Sequence, residues 1–145
     1  WAAEEGDAMR IERFGRCNCG RVVVSARGEP VRVGVCHCLN CRRQSGSPFL
    51  AYAVWPLAAV TVEGETITWQ GPLIVRHFCP VCGSMVWDSD SASDEIEIPL
   101  GLFDDAPTDL RPDHECWTVR REKWLKPIDG ARQYLRDRTS GDRAG

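Results

Sequence analysis

The stretch "VCHCLNCRRQSG", Val35 to Gly46, packs Cys36, Cys38 and Cys41 into six positions, and its reading decides what kind of fold the chain can hold. Thiolates this close repel one another unless a cation or a covalent bond joins them. Outward from it lie two pairs, Cys17-Asn-Cys19 and Cys79-Pro-Val-Cys82, while Cys116 stands alone. Eight cysteines in 145 residues point to metal sites or to disulfides, and the redox compartment decides between them. The opening "WAAEEGDAMR" has neither the basic head nor the apolar core of a secretory leader, and Met9 is a candidate initiator. The expectation is a cytoplasmic, reduced chain whose cysteines bind metal, with a disulfide network as the alternative.

The knuckle "CPVCG" lets Cys79 and Cys82 face one ion, and Gly83 permits the positive φ of such a turn. A closed structural zinc site takes four ligands, so this pair needs another. Cys17 and Cys19 supply it if they point to one face of a strand. Their union closes a loop of about sixty residues. That costs roughly 3 to 4 kcal/mol of chain entropy, against on the order of 10 kcal/mol from a structural zinc. Cys36, Cys38 and Cys41 then form a three-thiolate set, the pattern of a catalytic zinc with an open fourth position. Its net charge of about -1 suits sulfur nucleophiles better than water activation. A fourth ligand from Cys116, His37, His77, His114 or a carboxylate would instead make a second closed site. His37, lying between two ligands, is expected to point away from the metal, and His77 to belong to a strand. A lone cysteine such as Cys116 usually packs as a small apolar side chain.

The rest of the chain reads as mainly β. Short β-branched runs recur: "RVVVSA", "PVRVGV", "FLAYAVW", "LIVRHF", "SMVW" and "EIEIPLGLF". "AVTVEGETITW" suggests a hairpin about Glu63-Gly64-Glu65. Helix is expected only near Cys41–Gly46 and in "DGARQYLRDR", with Asp129 as its cap. "DSDSASDE" has acidic spacing but lacks the loop glycine of a calcium site, and reads as a solvated loop. A net charge of -3 and pI near 5.6 argue against a nucleic-acid surface. The best apolar run, "FLAYAVWPLAAVTV", is 14 residues long and carries Pro56, too short and broken for a membrane span. The expected division is an extension over 1–13, one zinc-binding domain over 14–138 and a polar tail over 139–145.

The order CxCG, CHCxxCRRxxG, FCPxCG, with "GLFDD" and a late His before a Trp, resembles the glutathione-dependent formaldehyde-activating enzyme family, whose domain is also seen in centromere protein V. The similarity runs from Phe14 to Tyr134 and is looser from "PDHECW" onward. It implies an Mss4-like fold, small antiparallel sheets pinned by two zinc ions. By resemblance, Cys17, Cys19, Cys79 and Cys82 hold the structural zinc, and Cys36, Cys38 and Cys41 the catalytic one. The implied activity is that of a carbon-sulfur lyase joining formaldehyde to glutathione as S-(hydroxymethyl)glutathione. Its partners would be a small-molecule thiol and aldehyde, with no nucleic acid and no membrane. Arg42 and Arg43 are candidates for pairing with a glutathione carboxylate, and His114 for a place near the site. The competing function is a non-catalytic zinc module that binds a protein partner, as Mss4 itself does.

Overall fold

The computed structural model describes residues 11–90, 92–139 and 143–144. Residues 1–10 of the expected extension, with Met9, and residues 140–142 and 145 of the expected tail lie outside them. The chain is mainly β, as its β-branched runs suggest, and forms two compact units. No helix among the described residues is long and apolar enough to cross a membrane.

The first unit comprises residues up to Val31 and Ala53–Thr108. Strands β1 (Glu12–Arg16), β2 (Val23–Arg27) and β5 (Val60–Glu63) make an antiparallel sheet in the order β1-β2-β5. Alternation sets its faces, since Val24 and Ala26 are fully buried while the alternating Val23 and Ser25 are half-buried. A second run has the order β4-β9-β8-β7-β6. It consists of the Ala53–Pro56 part of β4 (Leu50–Pro56), β6 (Ile67–Gln70), β7 (Ile74–Phe78), β8 (Met85–Asp90) and β9 (Glu95–Pro99). Trp55, Val86, Ile96 and Ile98 are buried in this unit. Trp55 packs edge-on against Phe103 at 5.6 Å and donates its indole N–H to the Gly28 carbonyl at 3.1 Å.

Two expectations fail here. "AVTVEGETITW" is not a hairpin, because β5 pairs with β2 and β6 pairs with β7. At Gly64, φ is +100°, and a Cβ would stand 2.2 Å from the Arg21 carbonyl oxygen, so the chain turns away from one sheet into the other instead of folding back. "DSDSASDE" is not a solvated loop throughout: β8 runs to Asp90, β9 begins at Glu95, and Asp88 is buried.

The second unit comprises Arg32–Tyr52 and residues from Asp109 onward. Its strands are β3 (Arg32–Cys36), the Leu50–Tyr52 part of β4, β10 (His114–Cys116), β11 (Arg132–Tyr134) and β12 (Arg143–Ala144). Their order is β12-β11-β10-β3-β4, and β10 runs parallel to both neighbours, so this sheet is mixed. The helix expected from Asp129 does not form. Gly130 sits at φ +81°, and Arg132–Tyr134 is drawn into the sheet beside β10, where Gln133 donates to the Glu115 carboxylate at 2.7 Å. Tertiary pairing overrides a modest helical preference. The helix expected near Cys41 does form, as α1 (Leu39–Ser45). Cys38 caps its start, accepting from the Cys41 N–H at 3.4 Å, and Gly46 at φ +67° closes its end.

Candidate metal centres

Both cysteine groups assemble, one in each unit. All eight cysteines are unbridged, which removes the disulfide alternative in this structure. In the first unit the sulfurs of Cys17, Cys19, Cys79 and Cys82 all lie within 4.8 Å of one another. The Cys17–Cys19 and Cys19–Cys79 separations are both 3.6 Å. A tetrahedron with metal–sulfur bonds of about 2.3 Å has edges of roughly 3.8 Å. The four thiols therefore fit a metal with almost no adjustment.

Turns place them. The Cys79 knuckle closes with Gly83 N–H donating to the Cys79 carbonyl at 3.0 Å, with Gly83 at φ +74° as its sequence suggested. Cys17 and Cys19 are not on a strand, because β1 ends at Arg16. They form a matching turn, in which Gly20 N–H donates to the Cys17 carbonyl at 3.0 Å and Gly20 has φ +81°. A strand would put the two sulfurs on one face but too far apart; the turn brings them together. The hydroxyl of Ser84 joins the two turns, accepting from the Asn18 N–H at 3.1 Å and lying 3.2 Å from the Cys82 sulfur.

Hydrogen bonding from the Ser84 hydroxyl and N–H lowers the Cys82 thiol to about 5. Cys17 is also lowered: burial, its largest influence, raises it but is outweighed by the Val22 N–H and neighbouring thiols. Cys19 is raised to about 11, the Arg21 N–H being outweighed by burial and by competition from the other three sulfurs. Four thiols this close do not ionise together without a cation.

In the second unit Cys36, Cys38 and Cys41 have sulfurs within 4.8 Å of one another. Cys38 is lowered to about 2, by the Cys36 and Cys41 thiols first and then by the N–H groups of Cys41 and Asn40. Cys36 is pushed up first by its hydrogen bond to the Cys38 thiol, and Cys41 by its hydrogen bonds to Cys36 and then Cys38, with burial raising both. Among the described residues, no fourth Cys, His, Asp or Glu donor joins this group.

The other candidates are held elsewhere. His37 is buried and its Nε2 meets Glu115 Oε1 at 3.0 Å. His77 lies in β7, in the first unit, stacked on Trp87 at 3.4 Å with Nδ1 3.0 Å from the Thr66 hydroxyl. Cys116 lies in register with Cys36 on the neighbouring strand yet stays outside the cluster, its thiol raised by burial. Arg42 is tied to Glu122 at 2.7 Å and to the Pro48 carbonyl at 3.2 Å, while Arg43 follows it, exposed, on α1.

Glu115, Tyr52 and Asp113 escaped the sequence reading, whereas His114 was named there as a candidate for a place near this centre. Glu115, 2 % exposed, accepts from His37, from Ile128 N–H at 2.8 Å, from Gln133 at 2.7 Å and from Arg121 at 3.3 Å. Its carboxyl is lowered, because those donors outweigh the burial that raises it. His114, 1 % exposed, has Nε2 2.7 Å from the Tyr52 hydroxyl and Nδ1 2.5 Å from Asp113 Oδ1. The alternation Asp113-His114-Glu115 was the available signal: two carboxylates flanking a histidine, sent by a strand to opposite faces.

A mainly β chain with one four-thiol and one three-thiol cluster defines a class of two-centre thiolate proteins able to hold metal. The family described as "Glutathione-dependent formaldehyde-activating enzyme" matches residues 12–120, and the chain belongs to it. No curated protein matches. Among solved structures, a protein from Rhodobacter sphaeroides is similar in fold, with a TM-score of 0.53 and 20 % identity over 70 % of this chain and 92 % of that one. The match ends at Arg120, so the resemblance read from the sequence as far as Tyr134 is shorter at its C-terminal side.

Proposed function

We propose that the protein is a zinc-dependent carbon-sulfur lyase of the S-(hydroxymethyl)glutathione synthase type, which joins a small thiol to a small aldehyde and cleaves the same adduct in reverse. Cys17, Cys19, Cys79 and Cys82 would hold a structural zinc, and Cys36, Cys38 and Cys41 the working one. The observation that carries this reading is the inequality of the two clusters: four thiols in one, and three in the other with no fourth donor among the described residues. Three protein ligands leave a place for an exogenous one. Zinc bound there would lower the pKa of an incoming thiol and hold it as the nucleophile.

The chain's own groups arrange the rest. The Cys36 and Cys41 thiols lower the Cys38 thiol most, and helix α1 adds to this by presenting the Cys41 N–H to its sulfur. Glu115 fixes the His37 ring and with it the backbone between Cys36 and Cys38. A carboxylate on the thiol substrate would pair with Arg43, since Arg42 is engaged by Glu122. Such chemistry belongs in the cytoplasm, where small thiols are abundant and reduced.

The test is two-dimensional exchange NMR of formaldehyde with glutathione. Acceleration over the spontaneous reaction is expected, and its absence removes this substrate pair. Cobalt-substituted protein adds a readout independent of turnover: glutathione should alter the visible spectrum of the three-thiol centre. A spectrum indifferent to thiols would fit a binding module instead.

A further inference from the structure

We propose that two copies of the chain associate through a knob and a socket of opposite charge: Trp124, flanked by Lys123 and Lys126, from one copy enters a cavity on the outer face of the β1-β2-β5 sheet of the other. Charge is divided unevenly between the two units. The first carries six Lys and Arg against fourteen Asp and Glu, and the second twelve against seven, which leaves net charges of -8 and +5. In a second copy, each unit therefore finds a unit of opposite sign to attract it.

The socket lies wholly in the first unit. Its cavity of about 330 Å³ is lined by Glu12, Phe14, Val23, Ser25, Thr61 and Glu63. Strand alternation sends these side chains outward, opposite the buried Val24 and Ala26. Register arranges them in rows. Phe14, Ser25 and Thr61 form the middle one, Val23 and Glu63 are paired on one side of it, and Glu12 lies two residues beyond Phe14 on the other. The floor is thus apolar and hydroxyl-bearing, with a carboxylate at each end. Phe14 is 49 % exposed, so its ring has apolar surface to cover. The cations on the same face are committed elsewhere, Arg16 to Asp104 at 2.7 Å and Arg27 to the Ala58 carbonyl at 3.1 Å, while Glu12 and Glu63 have no ion pair among the described residues.

The knob lies wholly in the second unit. Trp124 is 69 % exposed, more than any other large apolar side chain among the described residues. It stands on a turn closed by the Leu125 N–H donating to the Glu122 carbonyl at 3.0 Å, and the Glu122 carboxylate is gripped by Arg42 of α1 at 2.7 Å, which gives the knob a fixed base. Lys123 and Lys126, both exposed, flank it without an ion pair among the described residues. A tryptophan between two cations complements an aromatic floor between two carboxylates. Ring against ring buries apolar surface at the centre, Lys–Glu pairs form the rim, and the indole N–H has the Ser25 and Thr61 hydroxyls as acceptors. The joined surfaces differ, so two copies either exchange knobs in a closed dimer or continue the contact from copy to copy.

Sedimentation velocity of the full chain tests this without any turnover, so its outcome is independent of the reaction assigned above. At low ionic strength the mass should rise above the 16.2 kDa of one chain as concentration increases, and added salt should reverse the rise. Trp124→Ala should weaken association about 30-fold. A wild type that stays monomeric at every concentration overturns the proposal, as does a Trp124→Ala protein that associates as tightly as wild type. Charge reversal gives a second readout. Lys123→Glu/Lys126→Glu and Glu12→Lys/Glu63→Lys alter only exposed side chains, and circular dichroism verifies that each folds. Each alone should be monomeric, whereas an equal mixture should associate, because the reversed knob of one fits the reversed socket of the other. A mixture that stays monomeric refutes the pairing.

Discussion

Replacing Gly34 by alanine separates packing from backbone effects with little ambiguity. Gly34 lies within the extended strand β3, so alanine there should gain about 0.5 to 1 kcal/mol on conformational grounds. Space opposes this. The new Cβ would sit 2.3 Å from His114 Nε2, 2.5 Å from its Cε1 and 2.7 Å from the Tyr52 hydroxyl. Ordinary contact needs about 3.4 Å or more, so two buried aromatic side chains must each retreat by roughly an ångström. Overpacking of this kind costs about 1 to 3 kcal/mol. Parting the Tyr52–His114 hydrogen bond, with both groups still buried, adds about 1 to 3 kcal/mol. Sterics win, and a net loss of roughly 1 to 5.5 kcal/mol is expected, a large share of the 5 to 15 kcal/mol typical of a folded protein. Urea unfolding at fixed zinc concentration measures it, since metal binding would otherwise shift the midpoint. Adding Tyr52→Phe removes one of the clashing atoms and should return part of the loss, a coupling that a double-mutant cycle isolates. A Gly34→Ala protein as stable as wild type, or more stable, would refute the packing described around His114.

The two centres should respond differently to ligand loss. Cys79→Ser is expected to abolish cooperative unfolding of the first unit, because on the order of 10 kcal/mol of metal binding is at stake, whereas Cys41→Ser should lose metal from one centre and still fold; metal analysis with circular dichroism distinguishes them. Glu115 sets a pH dependence. Its folded pKa lies below the ordinary value of 4.5, so its contribution is complete above about pH 4.5 and fades as pH falls through the lower folded value. Glu115→Gln should therefore be less stable than wild type at neutral pH, and the gap should narrow in acid; a gap constant with pH would contradict the assignment.

The two cysteine clusters were legible because short range decides much of their geometry. Two cysteines separated by one or two residues, followed by glycine, already specify a turn that aims both sulfurs one way, and the Cys79–Gly83 knuckle follows that logic. Only the local geometry of Cys17–Gly20 was misjudged, as a strand where the chain turns. Strand existence was equally legible, since β-branched runs resist other conformations. Strand partnership was not. β5 and β6 look like the arms of one hairpin until Gly64 turns the chain from β2's side to β7's, and "ARQYLRDR" looks helical until Gln133 finds Glu115. Both outcomes depend on contacts that no window of ten residues contains.

The same distinction explains why the buried polar pairs of the second unit were missed while the cysteine clusters were found. His37 and Glu115 are 78 residues apart, and Tyr52 and His114 are 62 apart. Each pair exists only because β10 lies parallel to β3 in one register. A slip of one residue would exchange the faces of His114 and Glu115 and remove both the clamp on His37 and the Tyr52–His114 hydrogen bond at once. β10 is only three residues long, so its own ladder is a weak guarantee of that register. The four donors converging on Glu115 and the bonds of His114 to Tyr52 and Asp113 supply what the ladder lacks. The same buried polar groups thus fix the strand that the short ladder leaves loose, and for this reason Tyr52→Phe, which spares every bond of Glu115, separates the contribution of His114 to that register from the contribution of Glu115.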